Sequence, residues 1–179
     1  MMRAQRVVTG HDAQGRSCVV SFGPVAGDES FTHIPGFSAA LVWKTDAQPQ
    51  VGGEVTDPLN HVTSVLPAAA GTSVMLVSFP PESAEVPVDA DPLAADEMNV
   101  RVPGLAQTFE ADAPGFHRTD TIDYGVIVDG ELTLLLDDGE SALLKAGDVV
   151  VQMGTRHAWR NTGNSPARVM FVMVGATRR

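Results

Sequence analysis

The chain has one cysteine, Cys18, among 179 residues. That excludes an intrachain disulfide framework and suits a reducing compartment. Its neighbours Val19 and Val20 place it as a small apolar strand residue, and no histidine lies near it in sequence to activate the thiol. Positive charge is also scarce, with 12 Lys and Arg against 22 Asp and Glu and a net charge of −10. Without a basic stripe, binding to a phosphate backbone is poorly driven, so nucleic acid is not an expected partner. Anionic membrane surfaces are disfavoured for the same reason. Long hydrophobic runs are missing too. The longest mostly apolar stretch, 65–79, is interrupted by Pro67, Gly71, Thr72 and Ser73, whereas a membrane span needs about 20 apolar residues. The opening MMRAQRVVTGHDAQG has no apolar core of signal-peptide length. The chain therefore reads as soluble and cytoplasmic. No GxSxG, HExxH, P-loop or Rossmann glycine pattern occurs. Helical periodicity is almost lacking, and only the piece from Pro92 to Met98 suits a helical turn or two.

Hydrophobic residues make up 44% and charged residues 19%, the balance of a globular protein rather than a disordered one. A chain of this size buries roughly 70% of the surface its unfolded form exposes. Short β-like runs dominate: SCVVSF (17–22), SAALVWK (38–44), SVMLVSF (73–79), LAQTFEA (105–111) and ARVMFVMVG (167–175). Between residues 124 and 161 the strand pattern is denser, punctuated by Asp129-Gly130, Asp138-Gly139 and Gly147-Asp148. Glycine and aspartate supply the positive φ of tight turns, so each pair is a hairpin signal. Many short strands with glycine-rich turns and little helix predict an all-β sandwich or barrel. Between Pro80 and Glu97 lie four prolines and six acidic residues without a lysine or arginine. This segment reads either as a solvated connection or as a flap beside the barrel mouth. The expected organisation is one structural domain. Residues 1–104 supply N-terminal strands and this connection, and residues 105–179 supply the barrel core.

Two of the five histidines, His117 and His157, fall in the dense C-terminal half. Period-two alternation puts His117 and Thr119 on one strand face and Arg118 on the other. It likewise pairs His157 with Trp159, opposite Arg156, Ala158 and Arg160, while Asp123 shares a face with Gly125 and Ile127. A barrel brings such residues to one interior wall. Two neutral imidazoles and a carboxylate meeting there would make a facial triad for iron, and would also suit manganese, nickel or zinc. Gly125 would leave open volume beside an ion. The competing reading is that the histidines are hydrogen-bonded core residues. His11, His33 and His61 are most simply surface residues. Trp43, Met170, Phe171 and Met173 are most simply core or dimer-interface packing.

From about 105 to 176 the sequence resembles the cupin superfamily. The first cupin motif, H-x-H, three or four residues, E, six residues, G, corresponds here to His117-Arg118-Thr119, Asp123 and Gly130. The second, G, five residues, P-x-G, two residues, H, three residues, N, corresponds to Gly147, Gln152-Met153-Gly154, His157 and Asn161. Thr119 replaces the second histidine, Asp123 the glutamate and Gln152 the proline. The gap from Gly147 to Gln152 is one residue short. The wording DYGVIVDGELTL with GDVVVQMGTRHAWRN is similar to a narrower group of small cupins, which includes fungal polyketide-pathway proteins discussed as decarboxylases.

The resemblance implies a jelly-roll barrel with additional N-terminal strands, usually paired as a homodimer. It implies a divalent metal ion, iron, manganese, nickel or zinc, held by His117, Asp123 and His157. Asp123 and Thr119 are the candidate catalytic residues, and Thr119, Gly125, Ile127 and Trp159 the candidate substrate pocket. The expected partner is a small carbonyl, carboxylate or aromatic, polyketide-like molecule, and the expected chemistry is decarboxylase- or dioxygenase-like. The loss of the second histidine keeps open a metal-free cupin acting as sensor or carrier, and a barrel filled by side chains remains a third reading.

Overall fold

In the computed structural model, which describes residues 3–84 and 91–179, ten strands form three antiparallel sheets. Strands β1 (Gln5–His11) and β2 (Ser17–Pro24) make a hairpin joined to neither of the other sheets. Strands β3 (Ser38–Thr45), β4 (Thr72–Phe79), β5 (Thr121–Asp129), β8 (Val149–Gln152) and β10 (Ala167–Gly175) make a five-stranded sheet in the order β3-β4-β10-β5-β8. Strands β6 (Glu131–Leu135), β7 (Ser141–Lys145) and β9 (Ala158–Arg160) make a three-stranded sheet in the order β7-β6-β9. The all-β jelly-roll expectation holds. Of the N-terminal part, β3 and β4 lie in the same sheet as β5, β8 and β10, whereas β1 and β2 pair only with each other.

Alternation along β5 fixes which side chains face inward. Thr121, Asp123, Gly125 and Ile127 are buried, while Tyr124 and Val128 are exposed. Ile127 and Val169 from the larger sheet meet Leu132, Leu134 and Trp159 from the smaller one in a shared apolar core. A second core joins Ala39, Met75, Val77 and Met173 to Phe31, Val65 and Val102, which come from segments between the strands. Burial of side chains of this size stabilises by roughly 1.5–3 kcal/mol each.

Three sequence expectations change in detail. Of the three Asp/Gly pairs, only Asp138-Gly139 closes a hairpin, between β6 and β7, with φ of 56° and 79°. Asp129-Gly130 and Gly147-Asp148 instead turn the chain from one sheet to the other, where the same positive φ is needed for a corner. LAQTFEA is not a strand. Ala106–Thr108 forms a 3₁₀ turn in which Thr108 Oγ1 donates to the Leu105 carbonyl, and Phe109 makes only an isolated bridge to His117. The helix forms at α1 (Ala94–Arg101), slightly beyond the anticipated piece. Of the acidic connection, residues 85–90 lie outside the described residues.

The motif asparagine serves the fold. Asn161 is buried, its Nδ2 donates to the carbonyls of Phe79 and Ser165, and its Oδ1 accepts from the Gly163 N–H. Asn161→Ala leaves buried backbone groups unpaired, each worth about 1–3 kcal/mol. The substitution is expected to cost about 2–4 kcal/mol in urea unfolding at an unchanged m-value, and a loss under 1 kcal/mol would contradict this role.

Candidate functional site

His117 lies just ahead of β5 and His157 just ahead of β9, and the two are joined by reciprocal backbone hydrogen bonds of 2.9 and 3.0 Å. This bridge sets the two rings against each other, with centroids 4.3 Å apart. Phe109 flanks His117 at 4.5 Å, and Trp159 stands edge-on to His157 at 6.1 Å. Both rings are buried. Burial drives the His117 pKa down to about 4, and the neighbouring His157 adds to the effect. Burial also lowers the pKa of His157. Both imidazoles are therefore neutral at neutral pH. Nδ1 of His117 lies 3.2 Å from the Gly115 carbonyl, and Nδ1 of His157 lies 3.0 Å from the Thr155 carbonyl. A carbonyl only accepts, so each Nδ1 carries the proton and each Nε2 keeps a bare lone pair.

The flanking arginines hold the opening together rather than simply facing water. Arg156 pairs with Glu110 through Nε and Nη2, reaches Asp137 at 2.8 Å, and lies 4.1 Å over the Phe116 ring. Arg160 pairs with Glu82 at 3.3 Å and donates to the Pro114 carbonyl. His11 and His61 are exposed, as anticipated, but His33 is half-buried and its Nδ1 pairs with Asp91 at 2.8 Å.

Asp123 projects inward from the middle of the larger sheet and is 7% exposed. Burial pushes its pKa up to about 6, against the pull of a hydrogen bond from the Thr121 hydroxyl, and its Oδ1 has no hydrogen-bond partner. Two imidazoles with free Nε2 atoms fit an ion as two of its ligands, because this is the tautomer a ligating histidine adopts. The third expected ligand is not with them. Among the described residues, no group of three or more His, Cys, Asp or Glu side chains is gathered to hold a metal ion.

The expected substrate pocket also divides. Thr119 is buried, with its hydroxyl 2.7 Å from that of Thr121, and both line a cavity of about 400 Å³ together with Arg118, Asp120 and Arg178. Ile127 belongs to the inter-sheet core. Trp159 packs in that core against Phe171 at 5.7 Å while touching His157. Gly125 leaves no open volume: a Cβ there would lie 2.7 Å from a Val150 methyl and 2.9 Å from the Phe171 ring. Its role is close packing. Alternation alone could not reveal this, because it gives the direction of a residue and not what fills the space before it. Sequence reasoning missed Gln152 and Ser73 as inward-facing polar residues. The signal for Gln152 was its place in the second motif, where a proline was expected.

The cupin domain profile matches residues 107–173. That segment contains His117, Asp123 and His157. Over 61 residues the chain is 56% identical to the phomopsin biosynthesis cluster protein C′ of Diaporthe leptostromiformis, covering 34% of this chain and 32% of that protein. The match thus spans about a third of that relative. Over 186 residues it is 29% identical to the cupin-domain-containing oxidoreductase fogC of Aspergillus ruber, covering 97% of this chain and 73% of that protein. Among solved structures, the DMSP lyase DddQ of Ruegeria pomeroyi matches with a TM-score of 0.41 at 15% identity, over 81% of this chain and 50% of that one.

The raised Asp123 pKa has a consequence for stability. A carboxyl with a folded pKa of about 6 against an ordinary 3.8 favours the fold below pH 3.8, and that contribution disappears as pH rises through 6. Above pH 6 the ionised Asp123 costs up to about 3 kcal/mol, at roughly 1.4 kcal/mol per pH unit. Asp123→Asn should therefore raise the melting temperature at pH 8 relative to the parent and bring no such gain at pH 4. An equal effect at both pH values would show that Asp123 is not buried as an ionisable group.

Proposed function

We propose that this protein is a cupin-type enzyme that converts a small organic molecule at the barrel opening, with His117 and His157 facing the reacting end of the substrate. The observation that carries this reading is the pair of neutral imidazoles with unprotonated, unpartnered Nε2 atoms. An imidazole whose Nδ1 is held by a backbone carbonyl offers its Nε2 to an ion or to a donor on a substrate. The names of the relatives, a biosynthesis cluster protein and a cupin-domain-containing oxidoreductase, support chemistry on a metabolite-sized compound.

His117 and His157 would hold a divalent ion such as iron, manganese, nickel or zinc, and that ion would supply Lewis acidity toward a substrate carbonyl or carboxylate. The chain's own groups contribute the rest. Gly115 and Thr155 fix the ring tautomers through their carbonyls, and Phe109 and Trp159 shield the pair from bulk water. Asp123, with a pKa of about 6, holds or releases a proton at Oδ1 near neutral pH, the property wanted of a general acid or base. The Thr119 and Thr121 hydroxyls link the neighbouring cavity to this carboxyl. Decarboxylation and dioxygenation are both compatible with this arrangement. The second reading, a metal-free binder of small molecules, is favoured by the two-ligand count.

Metal analysis of protein purified without chelator separates the two. One equivalent of ion is expected, lost in His117→Ala and His157→Ala and retained within about threefold affinity in Asp123→Asn. Folded parent protein that takes up none of the four ions would leave the metal-free reading. Loss in Asp123→Asn as complete as in the histidine variants would restore Asp123 as a ligand.

The working unit is a homodimer in this reading, and the β1–β2 hairpin supports it. A two-stranded sheet on its own is marginal in water, yet this one exposes Val7, Val19, Val20 and Phe22, the last at 69%. The outer face of β5 and β8 exposes Tyr124, Val128, Val149 and Val151. A second copy bringing its hairpin to that face covers both patches. Sedimentation analysis should give a dimer at micromolar concentration and a shift toward monomer for Phe22→Asp. A monomeric parent protein would dismiss this assembly.

A further inference from the structure

Positive charge is scarce in this chain, and nearly all of it is paired. Among the described residues, every arginine from Arg3 to Arg178 except Arg118 has a carboxylate partner. Arg118 is exposed, and its guanidinium makes no hydrogen bond or ion pair among the described residues. Glu110 feels its charge but is already held by Arg156 through both carboxylate oxygens. One unpaired arginine in solvent would carry no message by itself. Arg118, however, lines the cavity of about 400 Å³ beside Thr119 and Thr121, and Arg178 lines it too.

Arg178 is fixed from one side. Its Nε donates to Asp120 at 2.7 Å, and its Nη2 donates to the carbonyls of Thr119 and Gly154 at 2.9 and 3.2 Å. Gly154, with a φ of 61°, permits this close approach, since a Cβ there would lie 3.2 Å from the Thr119 carbonyl oxygen. Nη1 keeps its donors unused, and a guanidinium ordered in advance loses little freedom when an anion arrives. Two arginines against Asp120 leave the lining one positive charge in surplus, within a chain of net charge −10. That surplus matches a monoanion, and a planar carboxylate suits the parallel N–H groups of a guanidinium. Leu66 and Pro67 add apolar surface for the remainder of a ligand. The volume falls within the roughly 300–1,000 Å³ of small-molecule pockets. From this lining, the Thr119 hydroxyl lies 2.7 Å from that of Thr121, which bonds to Asp123. A ligand here is therefore joined to the buried carboxyl by two hydroxyls.

We infer that this cavity is an anion subsite, which takes the carboxylate of a small monocarboxylic acid on Arg118 and the Nη1 of Arg178, with the hydrocarbon part against Leu66 and Pro67. The inference rests on the reading that the protein converts a small organic molecule, and it narrows that molecule to a carboxylic acid. It makes Arg118 a specificity-determining residue and gives Arg178 a role beyond its tie to Asp120.

The test compares benzoate with benzamide, which has the same ring and a planar head without charge. Dissociation constants are measured by chemical-shift titration on the parent protein and on Arg118→Gln, Arg16→Gln and His157→Ala. Arg118 makes no hydrogen bond, so Arg118→Gln should melt with the parent, and Arg16→Gln removes the same charge from the exposed β1–β2 turn. The parent should prefer benzoate over benzamide by tenfold or more, with the largest shifts at the amides of Thr119, Thr121 and Gly154. Arg118→Gln should weaken benzoate at least fivefold and leave benzamide within twofold. Arg16→Gln and His157→Ala should both keep the preference. Equal affinities in the parent, or no binding of either probe, would overturn the subsite, and uptake of an ion by the same preparation would show that the histidine reading survives. An equal loss in Arg16→Gln would overturn it as a general charge effect. A preference that persists in Arg118→Gln and disappears in His157→Ala would also overturn it, by moving the carboxylate to the histidines.

Discussion

The candidate site depends on the double pairing of β5, hydrogen-bonded to β10 on one side and to β8 on the other. A strand fixed on both edges cannot slip by one residue without exchanging its inward and outward sets. Here the inward set is Thr121, Asp123, Gly125 and Ile127, and a slip would bury Tyr124 and Val128 while exposing the carboxyl. Gly125 tightens the constraint, because only hydrogen fits between Val150 and Phe171. The buried carboxylate is thus imposed by the core around it, and its raised pKa follows from that placement.

The histidine pair is fixed by other means. Neither His117 nor His157 belongs to a strand of the larger sheet, and their rings meet because an isolated bridge closes the opening. Arg156, beside His157, ties the preceding segment to the β6–β7 turn through Glu110 and Asp137. The inward wall and the histidines across the opening therefore belong to different structural units. That separation explains why Asp123 does not join the imidazoles, although all three residues point inward.

Much of this was legible in the sequence. The strand-like runs matched β3, β4 and β10 nearly to the residue, and alternation placed His117, Thr119, Asp123 and His157 on inward faces. Alternation reports direction and not distance, so it could not show whether three inward side chains converge. The Asp/Gly pairs marked turns correctly without distinguishing a hairpin from a passage between sheets, because both need the same positive φ. The strand expected at 105–111 failed because its β-forming residues are used in a 3₁₀ turn capped by Thr108, a local hydrogen bond that competes with the ladder. Ser73 was invisible as a buried polar residue, because a serine in an apolar strand carries no pattern of its own.

Trp159 faces two ways, packing its ring on Phe171 in the core and meeting the edge of His157 at the opening. The chain has two tryptophans, and the other, Trp43, lies beneath Arg6 on β3. Trp159 is thus a built-in optical reporter: its emission depends on the charge and occupancy of the neighbouring imidazole, and replacing Trp43 with phenylalanine would leave that signal alone. Events at the opening can then be followed by intrinsic fluorescence before any substrate is identified.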